Sequence, residues 1–325
     1  MTLLAPTATP SFLPPDSPLP RDRPFTRAEA LDLVPNPREL TRLCGRGLLR
    51  RPVKGVYLAT EAGDSPALRA ASIGLVASSD CVVCDQHAAW LLGTTGALAP
   101  GEHLALRPLS LFRPSGRGRV RTEIVDGGER NLREDDVTSV HGVRVTTPLR
   151  TAHDLGRVRH PDRAIAGMDA VARLGTFSIE ELLAGVERYA RMRWVTTLRE
   201  IAPLVDPRAE SPAESVLRLR CLQVGEAPFE PQVGVVEDGV EIARLDLANR
   251  ELKVAIEYDG EEWHAGPGRR RHDARRREYL TRIHGWTFVV VVRDDLFGPD
   301  QVMLEARIRQ AVIAARRRAG ARPSY

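Results

Sequence analysis

The stretch WTFVVVV at residues 286–292 constrains the fold of this chain more than any other. It carries no charge and is dominated by β-branched residues, so it reads as a strand covered on both faces, which requires a sheet with helices around it. Upstream, KVAIEYDGEEWH at 253–264 is a second apolar run, β-branched at Val254 and Ile256, and it leads into Glu257, Asp259, Gly260, Glu261, Glu262, Trp263 and His264. A strand that ends in this much negative charge needs an explanation.

Its neighbours begin to supply one. SPAESVLRLRCLQ at 211–223 starts with Ser211 as N-cap and Glu214 three residues on, the spacing of a capping box. Strands follow at 232–236 and 241–248, joined through the hairpin signal Asp238-Gly239, and then at 252–258. An Arg-rich helix over 269–284, the 286–292 strand and a last helix with an Arg-rich end complete the order α-β-β-β-α-β-α across residues 211–315. Because side chains alternate along a strand, Glu257 and Asp259 share a face. Asp246 sits inside the apolar stretch IARLDLA, eleven residues before Glu257 and across a short turn, which puts it at the same end of the sheet. Clustered carboxylates repel one another and are costly to desolvate, and a divalent cation removes that cost. Hard oxygen donors with open water positions suit Mg2+ or Mn2+, and such an ion lowers the pKa of an attacking water.

The rest of the chain reads as further modules. Residues 1–24 are Pro-rich and aperiodic, the composition of a disordered leader. Over 25–62, Thr26 and Glu29 have capping-box spacing, a second helix runs through RELTRLC at 38–44, and RRPVKGVYLA at 50–59 reads as a hairpin. Helix, turn, helix, hairpin is the outline of a small winged helix, and equally of an α+β packing module that touches no DNA. Residues 63–205 read as a middle α/β region. Helices are expected at 67–76, after Asp85, after Thr147-Pro148, and at 161–174 and 178–191, with strands at CVVC, 103–107, 119–125 and 143–146. Arg150 and Asp154 stand at i, i+4 spacing, as a structural ion pair would. His87, His141 and His153 are lone histidines of packing or surface type, and CVVC suits a buried strand better than a metal or redox motif. Residues 316–325 read as a basic tail. The fold class is thus α/β (α+β) and multidomain.

Net charge is +4, and Lys54 and Lys253 are the only lysines, so nearly every cation is Arg. Codon usage in a GC-rich genome accounts for such a bias; clustered Arg also forms bidentate contacts with phosphates. No stretch of 18 apolar residues and no basic-then-apolar start is present, which reads as a cytoplasmic protein with reduced thiols.

The C-terminal residues resemble the PD-(D/E)xK nuclease superfamily, and within it the Vsr-like endonuclease-fold family of unknown function. The matching residues are Glu214, Asp246 in RLDLA, Glu257 and Asp259 in AIEYDG, His264, and GWTFVVVV. The helix pair, RRPVKGVYLA and GVRVTTPLRTAHDL resemble the AbiEi-type antitoxin winged helix and its following region. The resemblance implies a metal-dependent DNA endonuclease with Asp246, Glu257 and Glu214 at the metal and Asp259 in support. Where the superfamily has a Lys, this chain has Asp259, which leaves His264 as base, or Asp259 as ligand, or hydrolysis lost.

Each residue also has a plainer reading. Glu214 completes a capping box, Glu257 and Asp259 solubilise a strand end, His264 covers the sheet edge, and the basic helix is solvated with Asp273–Arg277 pairs. Contacts with DNA phosphates would fall to Arg269, Arg270 and Arg276 beside the carboxylates, and to Arg42, Arg46, Arg50, Arg51 and Lys54 of the helix and hairpin. Two functions follow: a Mg2+- or Mn2+-dependent endonuclease acting on double-stranded DNA, or a non-catalytic DNA-binding regulator of antitoxin type that keeps an inactive nuclease fold. Its partners would then be a promoter of a neighbouring gene or a toxin, and no membrane.

Overall fold

The computed structural model describes residues 12–34, 36–94, 108–120, 125–260, 267–298 and 300–320. They divide into two compact units: residues 1–155 with 176–182, and residues 156–175 with 183–325.

The first unit begins with a small three-stranded sheet and two helices. β1 (Phe25–Thr26), α1 (Arg27–Leu33), α2 (Pro37–Gly45), β2 (Leu49–Arg50) and β3 (Val56–Ala59) give the sheet order β1-β3-β2. The predicted helix pair and hairpin are all present. Thr26 accepts the Glu29 amide, but the Glu29 carboxylate turns to Arg23 at 2.5 Å, so the expected capping box is half formed. Asn36 caps α2 through the amides of Arg38 and Glu39, and Pro37 occupies the first turn, where its missing N–H costs nothing. The leader is shorter than its composition suggests. Leu13 and Leu19 are buried with Phe25, Ala30, Leu40 and Leu43, so two leucines among prolines suffice to hold residues 12–24 on this core.

The rest of this unit is a five-stranded sheet with order β6-β5-β4-β8-β7. Its elements are α3 (Pro66–Gly74), β4 (Val82–Val83), α4 (Asp85–Leu91), β5 (Leu109–Pro114), β6 (Val125–Arg130), β7 (Val137–Val140), β8 (Val143–Thr146) and α5 (Pro148–Gly156). Cys81 and Cys84 flank the short CVVC strand as buried free thiols. The strand expected at 103–107 lies outside the described residues. The one expected at 119–125 is displaced to β6, whose Gly127 lies so close to the Leu111 carbonyl that a Cβ would stand 1.7 Å from it. β5 and β7 carry no strict alternation and were not foreseen. Asp85 does not cap α4; Cys84 holds that position and the Asp85 carboxylate goes to Arg130.

The second unit begins with α6 (Pro161–Ala172). It continues through the end of α7 (Ile179–Gly185), a 3-10 turn at Val186–Tyr189 and α8 (Val195–Ile201) to α9 (Pro212–Val224). Asp169 of α6, fully buried, accepts from Arg218 of α9 at 2.7 Å and from the Asp206 amide at 2.9 Å, which ties α6 to α9 within this unit. Then follow β9 (Glu230–Glu237), β10 (Val240–Asn249), β11 (Val254–Tyr258), α10 (Pro267–His284), β12 (Thr287–Val291), a short α11 (Arg293–Phe297) and α12 (Gln301–Gly320). The sheet order is β12-β11-β10-β9, with β9, β10 and β11 antiparallel in turn and β12 parallel to β11. This is the predicted α-β-β-β-α-β-α order with α11 added. Residues 316–320 are helical rather than a loose tail. Arg316 pairs with Glu226, and Arg318 donates to the Thr287 hydroxyl at 2.6 Å.

Candidate functional site

Three groups of residues qualify, two in the first unit and one in the second. In α2, Leu40 and Leu43 are buried, which leaves the opposite face to solvent. Arg38, Arg42 and Arg46 recur every four residues along that exposed face, within an arc of about 80° at 100° per residue. Arg42 is held by Glu39 at 2.6 Å, an exposed i, i+3 pair that solvent screens and that is readily exchanged for a phosphate. Arg38 was not foreseen; its membership of the stripe follows from the i, i+4 spacing to Arg42. The hairpin cations are committed elsewhere. Arg50 pairs with Asp64 and donates to the Gly63 carbonyl, and Arg51 bonds the Tyr57 hydroxyl at 3.0 Å while lying over its ring. Lys54 is half-buried. Of the predicted contacts here, Arg42 and Arg46 are presented outward, and Arg50 and Arg51 serve the packing of the hairpin.

The second group lies behind α5. Arg150, 2% exposed, donates to Asp154 at 3.0 Å and to Asp136 at 2.8 Å, so the expected i, i+4 pair is part of a larger network. Arg130 bridges Asp154 to Asp85 and stacks 3.7 Å over the Phe112 ring. Buried carboxylates facing fork-shaped guanidiniums fix the relative placement of β6, α4 and α5. His87 accepts from the Ser110 amide at 3.2 Å and His153 meets the Leu182 carbonyl at 2.8 Å, so both are packing histidines as expected.

The third group is the carboxylate cluster. The antiparallel register pairs Leu247 with Ile256, which sets Asp246 across from Glu257. Glu257 is buried at the end of β11, with Arg276 Nη2 at 2.9 Å from one carboxylate oxygen and Arg277 Nη1 at 3.4 Å from the other. The Asp246 carboxylate accepts the Tyr258 amide at 2.9 Å. Burial pushes its pKa up to about 6, the Tyr258 hydrogen bond works against that, and the nearby Glu214 and Glu257 add to it. Glu214 serves the cap of α9, though its carboxylate reaches one residue before Ser211. Its amide donates to Ser211 at 3.2 Å, and its carboxylate accepts from the Glu210 amide and from Gln232 Nε2 at 2.8 Å. Gln232 was not foreseen. It stands in β9 with φ 54, an unusual conformation for a non-glycine residue and one that no sequence pattern announces. Asp259 is half-exposed, 3.7 Å from Arg277.

His264 lies outside the described residues, as do Glu261, Glu262 and the side chains of Arg269 and Arg270. Arg276 is turned inward to Glu257 and the Arg244 carbonyl, not outward toward a phosphate. Arg277 faces Glu257 and Asp259 rather than Asp273.

The chemistry expected of this cluster is binding of a divalent ion. Among the described residues, no group of three or more His, Cys, Asp or Glu side chains could hold one. The donor set explains why: both Glu257 oxygens face guanidiniums, and Asp246 and Glu214 each accept from N–H groups. As arranged, these residues do not fit a metal ion. No described helix is long and apolar enough to cross a membrane.

Residues 81–204 match the AbiEi antitoxin C-terminal domain, a stretch that covers the Arg130–Asp154–Arg150 network and GVRVTTPLRTAHDL. Two proteins of Mycobacterium tuberculosis, the uncharacterized protein MT2308 of strain CDC 1551 / Oshkosh and the uncharacterized protein Rv2248 of strain ATCC 25618 / H37Rv, are similar along most of the chain. Each is 32% identical over 270 residues, 83% of this chain and 94% of the relative. The chain belongs to the family of these two mycobacterial proteins, and its middle region is similar to the AbiEi antitoxin C-terminal domain.

Proposed function

We propose that the chain is a DNA-binding regulator of antitoxin type, which engages duplex DNA through the exposed arginine face of α2. One observation carries this reading: the match of residues 81–204 to the AbiEi antitoxin C-terminal domain. The α1–α2–hairpin unit precedes it and presents Arg38, Arg42 and Arg46 on one side of α2. A helix with three guanidiniums on one exposed face has the charge and reach for backbone phosphates along a groove. The DNA partner would be the promoter of a neighbouring gene, and a toxin would be the protein partner. The test is fluorescence anisotropy with a duplex spanning the chain's own upstream region. Binding that weakens steeply with salt and needs no divalent ion supports the reading, and absence of binding at low salt rejects it.

Metal-dependent DNA hydrolysis by the second unit is the second reading. It rests on Asp246 facing Glu257 across β10 and β11 with Glu214 nearby, and it requires Arg276 and Arg277 to leave Glu257, because with them in place the residues do not fit an ion. Its cofactor would be Mg2+ or Mn2+, with His264 as the base the resemblance assigns. Nicking of supercoiled plasmid in Mn2+, abolished by Asp246→Asn, would support it. Intact plasmid with either ion at every salt concentration would remove it.

A further inference from the structure

We propose that the carboxylate cluster of the second unit carries its counter-cation within its own chain: Arg276, seconded by Arg277, neutralises Glu257 and competes with divalent ions for it.

Glu257 is 4% exposed, and a carboxylate withdrawn from water at the end of a strand needs a cation within contact distance. From the sequence alone that cation is expected to be a metal ion. The structure supplies guanidiniums instead, at 2.9 Å from one Glu257 oxygen and 3.4 Å from the other. Residues 276 and 277 are consecutive on α10, so their side chains leave the helix about 100° apart and reach Glu257 from two directions.

Arg276 is also anchored. Its second terminal nitrogen donates to the Arg244 carbonyl of β10 at 3.2 Å, so the guanidinium ties β10, β11 and α10 together. Such a fork is more than a surface arginine resting by chance on a carboxylate, because both of its ends are held. It also lies near enough to Asp246 to favour the ionised carboxylate there, opposing Glu214 and Glu257. One guanidinium therefore serves two acids that face each other across the β10–β11 pair.

A consequence follows for hard divalent cations. An ion approaching Asp246 and Glu257 meets a positive charge already in contact with the Glu257 oxygens, and it must displace that charge before it can bind. The barrier lies in the helix rather than in the acids. Removing the guanidinium and leaving the acids in place should create a cation site where the native chain has a weak one. The inference is independent of the DNA-binding reading, and its test contains no DNA.

The experiment is calorimetric titration of MnCl2 into the full chain, for wild type, Arg277→Gln, Arg276→Lys and the Arg276→Gln/Arg277→Gln double variant. The double variant is expected to bind Mn2+ at least tenfold more tightly than wild type, and to lose the gain when Asp246→Asn is added. Arg276→Lys keeps the charge and should stay at the wild-type affinity. Arg277→Gln leaves the 2.9 Å contact in place, so it keeps the fold and should give a smaller gain; it carries the test if the double variant does not fold, as judged by circular dichroism. Equal Mn2+ affinity in wild type and the folded Gln variants, including no binding by any of them, overturns the proposal. So does a Lys variant that binds as tightly as the double Gln variant.

Discussion

Asp246 and Glu257 stand opposite each other on β10 and β11, and Arg276 holds Glu257 at 2.9 Å from the helix above. Two acids and one guanidinium thus set the electrostatics of the second unit, and most of the expectations below follow from charges placed in this way.

Glu257→Ala should destabilise the protein. It leaves Arg276 and Arg277 without their carboxylate, and breaking a fully buried pair costs about 3–5 kcal/mol. Arg276 is 28% exposed on its side chain, so water recovers part of that and a loss of about 2 kcal/mol is expected. Urea unfolding of wild type and variant measures it; a loss below 0.5 kcal/mol would mean the pair does not act as described.

The pH dependence has a definite sign. Asp246 binds its proton more tightly in the folded chain than in the unfolded one, so its contribution to stability is greatest in acid and is lost as pH rises toward about 6. One pKa unit is worth about 1.4 kcal/mol, which sets an upper limit of about 3 kcal/mol for this group. Asp246→Asn removes the dependence. The stability difference between variant and wild type should therefore grow in the variant's favour from pH 4 to pH 7, as read by denaturant midpoints. A flat difference across that range would contradict the assignment.

In the first unit, Arg150→Met takes the guanidinium from buried Asp136 and leaves Asp154 its 3.1 Å contact with Arg130, and a loss of about 3 kcal/mol is expected. Arg150→Lys rescues little of it, because a lysine lacks the fork that reaches both carboxylates. Near-ultraviolet circular-dichroism or tryptophan-fluorescence melting curves distinguish the two variants from wild type. A fully stable Arg150→Met would show the network to be incidental.

Much of the second unit was legible in the sequence. The apolar run at 286–292, the Asp238-Gly239 turn and the Ser211 cap each determine a local structure by steric or hydrogen-bonding rules, and the order of elements follows from them. The facing of Asp246 and Glu257 was legible too, since alternation and an eleven-residue spacing leave few registers. The role of Arg276 was not. A run of arginines reads as a solvated or DNA-facing surface, and which of them turns inward depends on where α10 lies over the sheet, a tertiary fact. Gln232 escaped for a related reason: a positive φ at a non-glycine residue inside β9 is not announced by any residue pattern. In the first unit, Arg130 and Asp136 lie far from Arg150 in sequence, so only the local Arg150–Asp154 pair could be anticipated.

The affinity for duplex DNA as a function of salt, for wild type and for the Arg38→Ala/Arg42→Ala/Arg46→Ala variant, tests the central claim most directly. Each phosphate contact contributes about 0.9 to the slope of log K against log salt. The wild type is expected to bind with a steep slope, and the variant to bind more weakly with a slope shallower by about two to three. A wild type that does not bind duplex DNA at low salt, or a folded variant with unchanged slope and affinity, would contradict it.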